Sequence, residues 1–185
     1  MLSCCFIFFC YKESVDDKLS KETKIEDKKI EKLSESNFFE NVEYKGIDAS
    51  GNRYLLKSQI ASFDNEKPEL VNMEGMKAIF YFKDGTILKV SGNNGIYNNK
   101  TNDMQFRKEV EVSQADNKII ADNLDYFNSK GLINIYGNVV GKSLDGNFTS
   151  DILNLSIDDQ SIDFLMNNNE QVKINLTKWK KVLEL

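Results

Sequence analysis

From Asn37 onward, short runs of β-branched and aromatic residues alternate with clusters of Asn, Asp and Gly. Runs of this kind, bounded by turn formers, predict strands. The clearest are Ala78–Phe82, Thr86–Val90, Val110–Val112, Lys118–Ala121, Leu132–Tyr136 and Val172–Leu176. Turn dipeptides punctuate them at Ser50-Gly51, Asp84-Gly85, Asn94-Gly95, Lys130-Gly131 and Asp145-Gly146. No pattern of helical period extends over ten residues before Thr177, so the expectation is an all-β sandwich, barrel or roll.

The pattern also repeats. Laid on itself with a shift of about 29 residues, the chain aligns Val90, Ile119 and Phe148, then Tyr97, Tyr126 and Leu155. Met104, Ile133 and Ile162 form a third column, and Phe106, Ile135 and Phe164 a fourth; Val110 matches Val139. Each unit reads as a strand, a polar turn and a strand with two apolar residues at spacing two. Units of this kind bury a face only by stacking on neighbours. Because side chains alternate along a strand, Met104 with Phe106, Ile133 with Ile135, and Ile162 with Phe164 and Met166 each share a face. The intervening Gln105, Asn134 and Asp163 are polar, which gives these strands one buried and one wet side. Around Asp84-Gly85 a two-residue turn would set Phe82 across from Ile87 and Tyr81 across from Leu88. Both sides of that hairpin are apolar, and the sequence leaves its inward face open.

The amino-terminal texture is different. Met1–Tyr11 reads MLSCCFIFFCY, an apolar run of about 17 Å as a helix, half of a hydrocarbon core. It lacks the basic start and the small-residue cleavage site of a signal peptide. It reads as the tail of a transmembrane or signal-anchor helix that begins upstream. Lys12–Ser36 follows with seven Lys and eight Asp or Glu, a solvated spacer that is a weak candidate for helix over Ser20–Leu33. The expected organisation is therefore an anchor remnant (1–11), a charged spacer (12–36), a β-domain (37–176) and a tail (177–185) whose Trp179 reads as a cap or frayed end.

Composition narrows the chemistry. The 185 residues carry a net charge of −5, which argues against a nucleic-acid partner. Histidine is absent, which removes His-dependent triads and His-ligated metals. Cys4, Cys5 and Cys10 are the three cysteines, so the domain has neither a disulfide framework nor a thiol nucleophile. No Asp-x-Asp-x-Asp-Gly calcium loop occurs, and neither a metal nor any other cofactor is expected. Carboxylate pairs for glycoside cleavage would have to be Asp122 with Asp125, or Asp158 with Asp159. Adjacent residues on a strand point apart, and turn or surface carboxylates explain these residues more simply, so an enzyme is not expected. The sequons Asn99-Lys-Thr101 and Asn147-Phe-Thr149 read as incidental.

Several short motifs, in order, resemble the LptC family of lipopolysaccharide-export proteins and the wider OstA-like β-jellyroll group. These are Leu70-Val-Asn-Met-Glu-Gly-Met76, Asp84-Gly85, Gly92-Asn-Asn-Gly95-Ile-Tyr97, Ala121-Asp-Asn-Leu-Asp-Tyr126 and Gly137-Asn-Val139. Lys108 stands where the family's Gly-x-Val step would place a glycine before Val110. The resemblance covers Asn41–Leu176 and implies an open, twisted β-jellyroll with an apolar interior. It implies a domain in the periplasm, held at the inner membrane by a single amino-terminal pass. It also implies that lipopolysaccharide is received from an inner-membrane ABC transporter complex and passed to a soluble periplasmic β-jellyroll relay protein.

On that reading Val90, Met104, Phe106, Ile119, Ile133, Ile135, Phe148, Ile162 and Phe164 line the lipid groove, with Phe106 and Phe164 foremost. Free strand edges would dock partners by β-augmentation. The upstream edge is expected at Tyr44, Tyr54 and Leu56, and the downstream edge at Val172, Ile174 and Leu176. The alternative is a β-sandwich scaffold or adhesion module, in which the same apolar residues fill a closed core.

Overall fold

The computed structural model describes residues 37–157, 161–167 and 171–176. The anchor, spacer, Asp158–Asp159 and Trp179 expectations lie outside the described residues. Ten strands form one antiparallel sheet: β1 (Asn37–Ile47), β2 (Arg53–Phe63), β3 (Leu70–Tyr81), β4 (Ile87–Asn98), β5 (Met104–Gln114), β6 (Asn117–Phe127), β7 (Leu132–Ser143), β8 (Gly146–Ser156), β9 (Ser161–Leu165) and β10 (Lys173–Leu176). Strands β1 to β8 pair in chain order; β9 and β10 both pair with the outer edge of β8. Among the described residues, the only helix is a 3-10 turn, Asn128–Lys130.

Strands β1 to β8, of 11 or 12 residues, are too long to lie flat on a small core, and the burial pattern shows where they bend. Alternation holds at both ends of a strand, but in the middle the buried positions are three or four apart: 58 and 61, 73 and 76, 106 and 110, 121 and 124, 135 and 139, 150 and 153. The pairing register shifts there across β4–β5, β5–β6, β6–β7 and β7–β8. Bulges bend strands and let one strand serve two layers. The line of bends folds the sheet into a roll with two facing layers. One layer carries the turns at 48–52, 82–86, 115–116 and 144–145; the other carries those at 64–69, 99–103 and 128–131. At the bends of β5 and β7 the backbone is left-handed, at Lys108 and Glu109 and at Gly137 and Asn138.

The 29-residue columns fall on alternate strands, one hairpin per repeat, and their members share the inner face. The Asp84-Gly85 hairpin differs from its expected form. Tyr81 pairs with Ile87 and Phe80 with Leu88, and the connection spans Phe82–Thr86. Phe82 N donates to Thr86 O at 2.9 Å, and Gly85 adopts φ +88°. The reason is local: Asp84 accepts from Thr86 N at 2.8 Å, which fixes a longer loop than a two-residue turn. The inward face is Phe80 and Phe82, stacked at 6.3 Å.

Candidate functional site

The inner face has two regions. In the first, the layers meet and exclude water. Leu56, Met76, Met104, Phe106, Val110 and Ile135 are fully buried there. The seam of this region is polar. Tyr54 and Tyr97 hydroxyls lie 3.1 Å apart and both donate to Asn102 Oδ1, at 3.1 and 2.7 Å. Asn128 accepts from Ala49 N at 2.8 Å, and donates from Nδ2 to Thr101 O and from its backbone N to Asp103 Oδ1. Asp48, nearly buried, accepts from Asn52 at 2.7 and 2.9 Å. These bonds clasp the β1–β2 turn to the β4–β5 and β6–β7 turns. Burial raises the pKa of the Tyr54, Tyr97 and Tyr126 hydroxyls above the ordinary value, so all three are neutral.

In the second region no described residue covers the inner face. At the β8–β10 end the lumen opens into a cavity of about 350 Å³, the lower end of the range for ligand sites. Its wall includes Leu88, Val112, Ile119, Leu153, Leu155 and Ile174. Phe148 and Phe164 meet there edge to face with centroids 4.8 Å apart. The Phe148 ring lies over Gly141, directly opposite on β7, where an added Cβ would sit 1.9 Å from the ring. A side chain at 141 would displace that ring, so the glycine shapes the cavity. A second, more open cleft continues from it toward Phe82, Ile133 and Ile157, sharing Leu88, Leu155 and Ile162.

The expected groove residues divide between these regions. Val90, Met104, Phe106 and Ile135 are 2% exposed or less, inside the sealed part; Ile133 is equally buried but borders the open cleft. Ile119, Phe148 and Phe164 are half-buried and line the cavity, and Ile162 lies at its mouth, 54% exposed. Leu88, Val112 and Gly141 were not anticipated; the cross-strand register that brings them to the cavity depends on the bulges.

Of the expected edge residues, Tyr44 lies on the edge strand β1, 43% exposed, with its ring tilted against Tyr97 at a centroid distance of 5.5 Å. Tyr54 and Leu56 do not form an edge: β2 is paired on both sides and their side chains are buried in the core. Ile174 and Leu176 lie on β10, which pairs with β8, and Val172 immediately precedes it. Asp122 and Asp125 lie on the outer face. Asp122 accepts from Asn138 Nδ2 at 2.7 Å, while Asp125 pairs with Arg107 at 2.6 Å and accepts from Tyr136 at 3.2 Å. Both are structural partners at the bends. Among the described residues no group of His, Cys, Asp or Glu converges as a metal site.

The fold is similar to that of LptH of Pseudomonas aeruginosa, the LptA-homologous periplasmic component of the lipopolysaccharide transport device. The TM-score is 0.50 at 13% identity, over 67% of this chain and 93% of that one. No curated protein matches the sequence. The family model of LptC-related lipopolysaccharide-assembly proteins matches residues 1–167. This family is one of transport proteins, not of enzymes. The open jellyroll with an apolar lumen is thus the domain of a chain that belongs to the LptC-related family and has a role in lipopolysaccharide transport.

Proposed function

We propose that the domain carries lipopolysaccharide in the periplasm, tethered to the inner membrane through its amino-terminal segment. It receives lipid from an inner-membrane ABC transporter complex and hands it to a soluble β-jellyroll protein. The open apolar lumen at the β8–β10 end carries this reading. A carrier needs an apolar wall that never closes, because acyl chains must slide in and out without a covalent step. Burying a methylene is worth about 0.8 kcal/mol, so a few contacts per chain hold the lipid while a similar lumen downstream can take it over.

Ile119, Phe148, Ile162 and Phe164 make the first acyl contacts. Ile133 continues the wall along the adjoining cleft; Val90, Met104, Phe106 and Ile135 continue it inward, and lipid reaches them only when the seam opens. Edge β1, through Tyr44, faces the transporter side. The β9–β10 edge, with Val172, Ile174 and Leu176, faces the relay protein, joined by β-augmentation.

Photo-crosslinking tests this reading. A photoreactive residue at Phe164 should capture added lipopolysaccharide, while one at Glu74, exposed on the outer face and away from the cavity, should not. Equal yields at the two positions, or none at Phe164 in a folded protein, would refute it. The scaffold alternative rests on the sealed region. It predicts that lipopolysaccharide leaves the melting temperature unchanged, whereas a carrier is stabilised by its ligand.

A further inference from the structure

The outer face of the roll separates charge by layer. On the layer bearing the 82–86 and 144–145 turns, Lys57 lies directly opposite Lys77, and Lys118 directly opposite Lys142. Like charges facing each other across strands destabilise a sheet. Lys45, Arg53, Lys89 and Lys173 project from the same face, and among the described residues the only strand carboxylates there are Glu43 and Glu111. Glu43 pairs with Lys57 and Lys45, at 2.9 and 3.3 Å, and Glu111 with Lys118 at 2.7 Å. Asp84, Asp116 and Asp145 sit in the rim turns, beside Lys83.

The outer face of the other layer has the opposite character. Glu40, Glu74, Asp122, Asp125, Asp151 and Asp163 lie there, with Arg107 bound to Asp125 at the bend. A chain of net charge −5 therefore presents one basic sheet face. That face is also apolar in places. Ile120 is 42% exposed in the row of Glu111, and Tyr81 and Ile87 are 37% and 45% exposed at its rim, with Leu144 in the adjoining turn 77% exposed. Lysines interspersed with exposed aliphatic and tyrosine side chains match the interfacial zone of a bilayer whose headgroups carry phosphate.

We propose that this face lies on an anionic phospholipid surface, so that the domain rests flat against the membrane. The lysines contact headgroup phosphates, Ile120, Tyr81 and Ile87 enter the headgroup region, and the acidic layer faces away. Such a contact fixes the height and tilt of the lumen mouth relative to the bilayer.

The test uses the full chain and sedimentation with vesicles of phosphatidylglycerol and phosphatidylcholine, 1:3, against phosphatidylcholine alone. The difference between the two vesicles removes any charge-independent binding by the amino-terminal segment. The triple variant Lys77→Gln/Lys89→Gln/Lys142→Gln should lower the phosphatidylglycerol-dependent affinity by about tenfold or more. A control, Lys100→Gln/Lys108→Gln/Lys130→Gln, makes the same charge change at the bend and turns of the other layer and should leave the affinity near wild type. Circular dichroism checks both folds. Equal losses in the two triples would mean that net charge alone acts, and no loss in either would mean that the face does not bind; both overturn the proposal. A concentration-dependent self-association in light scattering, removed by the first triple while vesicle binding is unchanged, would assign the face to a second copy and also overturn it.

Discussion

Phe106 and Phe164 hold the same place in the repeat, yet one is sealed in the roll and the other lines an opening. Both point inward from the outgoing strand of a hairpin unit. Phe106 is 0% exposed because the opposing layer lies across it; Phe164 sits on β9, beyond which the described sheet ends. Residue chemistry does not separate a core position from a lumen position here. Position along the roll does, because each unit is covered by one further along or further back. The same repeat can therefore supply stability at one place and a binding wall at another.

The largest effect that tests this contrast is on stability. Phe106→Ala should destabilise the domain by about 3–5 kcal/mol, read from the denaturant midpoint. Phe164→Ala should cost roughly 1 kcal/mol while abolishing lipid capture, because its ring is already half in solvent. Equal costs would erase the distinction between the regions.

The polar seam gives the next effect. The folded-state pKa values of Tyr54, Tyr97 and Tyr126 are raised above 10.0, so their contribution is fully present below pH 10 and is lost as pH rises beyond it. The slope should be at most about 1.4 kcal/mol per pH unit for each tyrosine, and solvent screening narrows the pH window over which it acts. Tyr97→Phe should flatten the alkaline limb of a stability–pH profile; an unchanged limb would remove the seam from the account.

Gly141→Val should displace the Phe148 ring and narrow the cavity, at a cost of about 1–3 kcal/mol. Lipid-dependent stabilisation should fall with it, and a retained thermal shift would show that the cavity is not the entry point. The smallest effect lies at the bend of β5. Lys108 has φ +62° where Gly137 of the next repeat has φ +82°. Lys108→Gly should stabilise the domain by roughly 0.5–1 kcal/mol, since the relieved left-handed strain exceeds the entropy that glycine adds to the unfolded chain.

How much of this the sequence disclosed follows from the range of each interaction. Alternation and the 29-residue period are local, so the strands, the inward columns and the family resemblance were all legible. The bends were legible only as interruptions such as Gly137-Asn138, and Lys108-Glu109 concealed one behind ordinary residues. Hairpin register failed at Asp84-Gly85 because one side-chain hydrogen bond selects the loop. Tyr54 and Leu56 were misplaced at an edge because the full length of β1, which covers them, was not apparent. The clasp joining Ala49 to Asn128 spans 79 positions. No local pattern announces it, and for the same reason none separates the sealed positions from the open ones.

One consequence follows from the way β9 and β10 share an edge. They lie in line along β8 as pieces of five and four residues, paired with Ile152–Ser156 and Gly146–Thr149, so that Ser150 and Asp151 fall between them. A stray extended chain finds no uninterrupted template there, which protects the protein against fibrous pairing. A partner whose own border carries a matching gap can engage both pieces in register, so the break acts as an address.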